Sequence, residues 1–113
     1  MEIRVKQEDG VALVMLGGRL DAASSPELEE RLSEVLHSGA CALVLNVSGL
    51  THISSAGLRC ILFAGKTIKA RNGRIALTGA QGMVMDVLKT SGFADILPTY
   101  PSDEDALGDH SEW

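Results

Sequence analysis

The apolar run Ala42-Leu43-Val44-Leu45-Asn46-Val47 decides the fold of this chain. It lacks the alternation of apolar and polar residues that is typical of a strand with one face exposed to solvent. A strand that is covered on both faces of a parallel sheet has this near-continuous apolar pattern. We therefore predict an inner parallel strand over Ala42–Val47, which Ser48–Gly49 ends.

The segments before this run predict a hairpin and a helix. Ile3–Lys6 and Val11–Leu16 are predicted strands, and Asp9–Gly10 between them is typical of a two-residue hairpin turn. Gly17–Gly18 is expected to close the second strand. A helix follows, with Ser25–Pro26 as its N-cap and first helical position. Its leucines and valine repeat at helical spacing.

The segments after the run predict two more helices and two short strands. They are a helix over Ser55–Ala70, a strand over Arg74–Leu77, a helix that Met83, Val84, Val87 and Leu88 mark and that ends near Gly92, and a strand at Ile96–Leu97. The order is β-β-α-β-α-β-α-β, which predicts a single α/β domain. Its mixed sheet of four to five strands would begin with the antiparallel hairpin, continue with parallel strands and carry the helices.

Composition and charge exclude several classes of protein. A chain of 113 residues that is 45% hydrophobic and 22% charged suits one globular domain, and its apolar runs are too short to span a bilayer. Residues 101–113 carry five acids and no Lys or Arg, whereas residues 1–100 carry ten acids and ten bases. This balance disfavours a nucleic-acid binder.

The same observations predict the organisation and location of the protein. The N-terminus has no apolar signal segment, so we expect a cytoplasmic protein without direct membrane contact. We expect one domain over residues 1–100. An acidic tail over residues 101–113 would form one helical turn and then a mobile end.

No motif of catalysis, cofactor binding or metal binding is present in the sequence. Cys41 and Cys60 have neither metal-ligand spacing nor a disulfide framework, which predicts buried, reduced thiols. Gly-x-Ser-x-Gly, Walker A and Gly-x-Gly-x-x-Gly sequences are absent. We therefore expect no enzyme activity, no cofactor and no metal.

The segment Leu50–Arg59 joins the buried strand to the second helix and carries the candidate site. Ser54 is placed to cap that helix, and Ser55 falls in its first turn. Free backbone N–H groups and the positive end of the helix dipole favour an anion there. On residue pattern alone, the two serines are ordinary capping residues and Asp21 is an ordinary turn residue.

The chain resembles the STAS-domain anti-sigma factor antagonists (anti-anti-sigma factors) of bacterial partner-switching systems. The resemblance covers nearly all of residues 1–100 and rests on Gly18–Asp21, Leu45–Ser48 and, most specifically, Ile53–Arg59. It implies a STAS fold and a phosphoacceptor at Ser55. It also implies that Asp21 corresponds to an acidic residue which the family keeps beside the acceptor.

The sequence departs from the family pattern at two positions beside the acceptor. Many members carry Asp where this chain has Ser54, and Ala56 stands directly after the acceptor position. Ser54 is therefore a second candidate acceptor as well as a neighbour of Ser55.

The resemblance implies a switch that is not an enzyme. The unphosphorylated chain would bind an anti-sigma factor, itself a serine kinase with an ATP-binding fold, and so free a sigma factor or other target. Phosphorylation of Ser55 would end that binding. The expected oligomeric state is a monomer or weak dimer. One alternative is an unphosphorylated STAS adaptor subunit of a membrane lipid-transport complex, and another is a scaffold of a stress-sensing assembly.

Helical geometry predicts which side of the second helix meets a partner. At about 100° per residue, its leucine and isoleucines fall on one side, which is the core side. Ser55, Arg59, Phe63 and Lys66 fall on the opposite side, which we call the outer face. An outward phenylalanine between two cations is typical of an interface anchor. The alternative is that Phe63 lies beneath a neighbouring helix or loop.

Overall fold

A five-stranded mixed sheet organises the chain. The computed structural model describes residues 1–93 and 97–108. The elements in chain order are β1 (Glu2–Glu8), β2 (Val11–Leu20), α1 (Ser25–His37), β3 (Ala42–Ile53), α2 (Ser55–Ala70), β4 (Arg74–Thr78), α3 (Gly82–Thr90), β5 (Thr99–Tyr100) and α4 (Asp103–Gly108). The strand order is β1-β2-β3-β4-β5, with β1 antiparallel to β2 and all other pairs parallel. The predicted fold class and strand–helix order are confirmed, and α4 lies in the segment where the sequence predicts a helical turn.

The β1–β2 hairpin turns at the predicted residues. Asp9 and Gly10 both have positive φ angles, of 51° and 79°. This combination is typical of the two-residue type I′ turn, whose twist matches that of the flanking strands. Glu8 and Val11 consequently pair directly across the turn.

The inner position of β3 explains its apolar sequence. Successive side chains of a strand point to opposite faces of the sheet. Leu43 and Leu45 pack in the large core beneath the first three helices, whereas Val44 packs with Ala106 of α4 on the other face. Because both faces are covered, polar residues are not needed at alternate positions, and the prediction of an inner strand is confirmed.

Strands β2 and β3 are longer than the sequence pattern indicates. The prediction that Gly17–Gly18 and Ser48–Gly49 end these strands is wrong, because both pairs lie inside the strands and the parallel ladder continues beyond them. The ladder shifts register here, as at β-bulges. A Cβ atom on Gly49 would lie 2.8 Å from the carbonyl oxygen of Leu16. Glycine is therefore required by the close approach of two backbones, and β3 continues to Ile53.

Two further boundaries differ from the predictions. The N-cap of α1 is Ser24, so that Ser25 is the first helical residue rather than the cap. The last described strand is β5, and Leu97, which the sequence places in a strand, lies before it; Ile96 lies outside the described residues. Pairing with β4 begins after Leu97, where the N–H of Leu77 donates to the carbonyl oxygen of Pro98 at 2.9 Å. The position of this last strand is therefore set by its pairing with β4, and not by where the apolar residues stand in the sequence.

A partly buried polar contact joins α4 to the sheet. The carboxylate of Asp103 accepts hydrogen bonds from Thr78 Oγ1 at 2.5 Å and from Asn46 Nδ2 at 3.0 Å. Thr78 is fully buried, so its hydroxyl needs a protein partner.

The division of the chain into a domain and a tail over residues 101–113 stays a prediction. Residues 109–113, including the expected mobile end, lie outside the described residues.

Candidate functional site

The candidate site lies where β2 and β3 end side by side. Leu20 and Ile53 form the last pair of the parallel ladder. The N–H of Ser54 then donates to the carbonyl oxygen of Leu20 at 2.9 Å, and α2 begins at the next residue. The site therefore sits at the carboxyl ends of parallel strands, where binding sites of α/β sheets are commonly found.

Ser54 caps α2 as the sequence predicts. Its backbone is extended, with φ −99° and ψ 172°, and its side-chain oxygen accepts a hydrogen bond from the N–H of Gly57 at 3.3 Å. This satisfies one of the N–H groups that the first turn of a helix leaves free. The hydroxyl of Ser54 is thus already engaged by the fold.

Ser54→Ala is expected to lower the free energy of unfolding by about 1 kcal/mol, because it removes this cap. The matched control is Ser55→Ala, which removes a hydroxyl that makes no hydrogen bond to any described residue, and which should stay within about 0.5 kcal/mol of the wild type. Chemical denaturation of both variants measures the difference. Equal losses at the two positions would contradict the assignment of Ser54 as the cap.

Ser55 is an exposed residue at the start of α2. Within residues 1–93 and 97–108 its hydroxyl makes no hydrogen bond. The helix dipole is positive at this end, and the sequence has no acidic residue from Val35 to Met85. The end of the helix and the charges of its own segment therefore favour added negative charge at this hydroxyl.

Asp21 organises the turn that leads into α1. Its Oδ1 atom accepts hydrogen bonds from the N–H groups of Ala23 and Ser24 at 3.1 Å each, and from the Ser24 hydroxyl at 3.2 Å. The pKa of the Asp21 carboxyl is lowered below its ordinary value, mainly because the backbone N–H of Ser24 donates a hydrogen bond to it. Within the described residues no hydrogen bond joins Asp21 to Ser55, so its place beside the acceptor stays a prediction.

Arg19 and His52 form a pair that the sequence pattern does not reveal. They are opposite each other in the β2–β3 ladder, and Arg19 Nη1 lies 3.4 Å from His52 Nε2. Arg19 Nε also lies 3.9 Å from Asp21 Oδ2. The pairing depends on the register of two strands that are distant in sequence. The spacing of residues along either strand therefore does not predict it.

The structure brings all four residues of the outer face onto one exposed side of α2. Ser55, Arg59, Phe63 and Lys66 are exposed, and the side chain of Phe63 is 65% exposed. Phe63 therefore does not lie beneath another described element. Neither Arg59 nor Lys66 forms an ion pair with any residue in the described ranges. An unpaired aromatic ring between two free cations is well suited to bind another protein.

A groove of about 790 Å³ runs between α1 and α2 beside the outer face. Buried side chains of Leu32, Leu36 and Ala64 lie along it, Glu29 lines the α1 wall, and Phe63 lines the α2 wall. No sequence signal points to it, because the groove depends on how the two helices pack. We call it the α1–α2 groove.

Arg71 closes one end of the α1–α2 groove. Its guanidinium donates to the carbonyl oxygen of Leu36 at 2.5 Å and to that of Ala40 at 2.9 Å. These contacts satisfy backbone oxygens at and just beyond the end of α1. They also hold the C-terminal ends of the two helices together, so the groove has fixed walls.

The two cysteines differ in their surroundings. The prediction that both are buried is wrong for Cys41, which is exposed in the turn that precedes β3, and holds only in part for Cys60. Cys60 is half-buried in the α1–α2 groove, and desolvation, with a smaller contribution from the charge of Glu29, raises the pKa of its thiol to about 11. Cys60 is therefore protonated near neutral pH and a poor nucleophile.

The described residues contain no group of three His, Cys, Asp or Glu side chains that is placed to hold a metal ion. Among the same residues, no helix combines the length and hydropathy needed to cross a membrane.

Comparison with known proteins assigns residues 2–106 to the STAS domain. A relative from Bordetella bronchiseptica, "Putative anti-sigma factor antagonist BtrV", is 32% identical over 106 residues, which cover 94% of this chain and 91% of the relative. The anti-sigma F factor antagonist of Paenibacillus polymyxa is 30% identical and covers 95% of this chain and 92% of its own length.

A solved structure has the same fold. The anti-sigma factor antagonist SpoIIAA in its unphosphorylated form superposes with a TM-score of 0.84 at 19% sequence identity. The match covers 99% of this chain and 98% of SpoIIAA.

Proposed function

This chain belongs to the STAS domain family, and from that premise we propose that it is an anti-sigma factor antagonist controlled by phosphorylation. The observation that carries the proposal is the free, exposed hydroxyl of Ser55 at the N-terminus of α2. It shares the outer face with the exposed ring of Phe63, in a chain whose relatives are named anti-sigma factor antagonists.

The unphosphorylated chain binds an anti-sigma factor through the outer face. Phe63 inserts into an apolar pocket of the partner, and Arg59 and Lys66 face acidic residues around that pocket. The partner then releases its sigma factor or another target. The chain itself performs no chemistry in this scheme and acts by binding in the cytoplasm, without nucleic acid or direct membrane contact.

The partner is also a serine kinase with an ATP-binding fold. It transfers the γ-phosphoryl group of ATP to Ser55 Oγ, which releases ADP and the hydroxyl proton. The product carries about −1.5 to −2 additional charges at neutral pH. On the free chain, solvent, the N-terminus of α2 and Arg59, one turn further along the same face, stabilise that charge. In a closed interface built for a neutral hydroxyl, it must be desolvated, and binding is lost.

The hydrogen bonds of the two serines support Ser55 over Ser54 as the acceptor. Ser54 is half-buried and its oxygen accepts from the N–H of Gly57, so its phosphorylation would disturb the helix cap. Ser55 is exposed and its hydroxyl has no partner among the described residues. A kinase can therefore reach Ser55 without unfolding the first turn.

Incubation with the cognate anti-sigma factor kinase and Mg-ATP is expected to add one phosphate, which fragmentation mass spectrometry should place on Ser55. Ser55→Ala is expected to keep partner binding and lose phosphorylation. Phosphate on Ser54 alone would contradict the assignment of the acceptor. No phosphorylation, together with stable binding to a membrane transport ATPase, would overturn the switch and favour the STAS adaptor.

A further inference from the structure

We propose that Ser24 is a positioning residue for the phosphorylation of Ser55. Its hydroxyl acts through the peptide unit between Leu20 and Asp21, which holds the residue before the acceptor. The role in phosphorylation rests on the proposed function. The hydrogen bonds that exert this role can be measured without a kinase, so that failure of one proposal is distinguishable from failure of the other.

Ser24 is the N-cap of α1, yet its hydroxyl does not cap that helix. Its backbone has φ −95° and ψ −16°, whereas capping serines usually have an extended backbone. Within residues 1–93 and 97–108, its oxygen accepts no hydrogen bond from the first turn of α1. The hydroxyl instead points back to β2. It accepts from the backbone N–H of Asp21 at 3.0 Å, and its nearest acceptor is the carbonyl oxygen of Arg19 at 2.8 Å.

The peptide unit between Leu20 and Asp21 connects this hydroxyl to the start of α2. Its N–H belongs to Asp21 and its carbonyl oxygen to Leu20, and both lie in one rigid plane because the peptide bond has partial double-bond character. On one side the N–H donates to the Ser24 hydroxyl. On the other side the carbonyl oxygen accepts from the N–H of Ser54 at 2.9 Å. We call this path from Ser24 to Ser54 the Ser24 relay.

The position of the acceptor depends on the residue at the end of the Ser24 relay. Ser55 follows Ser54 directly as the first residue of α2, and the Ser54 side chain accepts from the N–H of Gly57. In the described parts of the chain, the hydroxyl of Ser55 makes no hydrogen bond that could fix its own position. Group transfer is sensitive to displacements of about 1 Å in the reacting atoms. The orientation of one peptide plane therefore affects how well Ser55 is placed for phosphoryl transfer.

Ser25 provides a matched comparison within the same turn. Its hydroxyl donates to the carbonyl oxygen of Asp21 at 2.6 Å, which is shorter than either bond of Ser24. That carbonyl belongs to the next peptide unit, which makes no hydrogen bond to α2 among the described residues. If the turn mattered only as a whole, the loss of either hydroxyl would have similar consequences. The Ser24 relay requires that only Ser24 affects Ser54.

Amide hydrogen exchange of Ser54, followed by NMR, tests the Ser24 relay in the isolated chain. Ser24→Ala is expected to speed exchange of the Ser54 N–H at least about 10-fold, because the carbonyl that accepts this hydrogen bond is held less firmly. Ser24→Thr keeps the hydroxyl and should restore slow exchange. Ser25→Ala should leave exchange of Ser54 unchanged. Wild-type exchange in Ser24→Ala, or equal acceleration by both alanine variants, would overturn the relay.

Steady-state phosphorylation by the cognate anti-sigma factor kinase tests the role in function, under conditions where every variant is folded. Ser24→Ala is expected to lower kcat about 10-fold, because the acceptor is misplaced. KM should change little, since Ser24 does not belong to the outer face. Ser24→Thr should recover kcat, and Ser25→Ala should keep the wild-type value.

The outcomes separate the two proposals. A wild-type kcat for folded Ser24→Ala protein would overturn the role of Ser24, even if hydrogen exchange confirms the relay. A wild-type chain that its cognate kinase does not phosphorylate would contradict the proposed function, and the role of Ser24 in phosphorylation with it. Hydrogen exchange would still decide whether the Ser24 relay exists.

Discussion

A phosphoryl group on Ser55 is expected to weaken binding to the anti-sigma factor at least about 100-fold, which corresponds to about 3 kcal/mol. The cause is local, because the added charge lies on the outer face and must lose its water when the interface closes. The fold is expected to stay intact, since Ser55 is exposed and its hydroxyl makes no hydrogen bond in the described parts of the chain. Calorimetric titration of the partner with the phosphoserine and serine forms measures the effect.

Three variants separate charge from shape in this experiment. Ser55→Ala should bind like the wild type, because the interface is expected to accept a small neutral group. Ser55→Asp should bind with an intermediate constant, since a carboxylate carries less charge than a phosphate. Phe63→Ala should weaken binding by about 1–2 kcal/mol with little change in stability. If phosphoserine binds as tightly as serine, the outer face is not the interface.

Local sequence patterns predict the parts of this molecule that depend on neighbours along the chain. The hairpin turn at Asp9–Gly10 follows from backbone preferences, and the Ser54 cap follows from the start of an amphipathic helix. The exposed position of Phe63 follows from the helical repeat alone. Each of these features is decided within one or two turns of helix or a few residues of strand.

The parts that local patterns miss depend on contacts between distant segments. Gly49 predicts the end of a strand, yet glycine is needed there because the backbone of Leu16 passes beside it. The pairing of Arg19 with His52 depends on the register of β2 and β3. The α1–α2 groove depends likewise on helix packing. The sequence therefore predicts the phosphoacceptor candidates and the outer face of α2, but not the wall that α1 contributes beside them.

Gly57→Ala is expected to lower the free energy of unfolding by about 2–3 kcal/mol. A Cβ atom at this position would lie 2.5 Å from Leu20 Cγ and 3.3 Å from the Leu20 carbonyl oxygen. Leu20 is fully buried, so it cannot move aside without disturbing the core. The first turn of α2 must therefore shift away from the end of β2.

Gly65→Ala is the matched control in the same helix. Its Cβ atom would meet only side-chain atoms at ordinary distances, 3.4 Å from Leu97 Cδ2 and 3.6 Å from Ile75 Cδ1. The higher helix propensity of alanine is then expected to leave stability unchanged or raise it by up to about 1 kcal/mol. Denaturant unfolding of the two variants measures the contrast, and equal effects would show that contact with Leu20 does not position α2.

The two substitutions also separate stability from function. The Leu20 carbonyl oxygen accepts from the N–H of Ser54, and the N–H of Gly57 donates to the Ser54 hydroxyl, so a shift of this turn moves the cap. Ser55 follows Ser54 directly and must move with it. Gly57→Ala should therefore slow phosphorylation of Ser55 even at temperatures where the variant is fully folded, whereas Gly65→Ala should not. Normal phosphorylation of folded Gly57→Ala protein would show that the kinase does not require this placement of the acceptor.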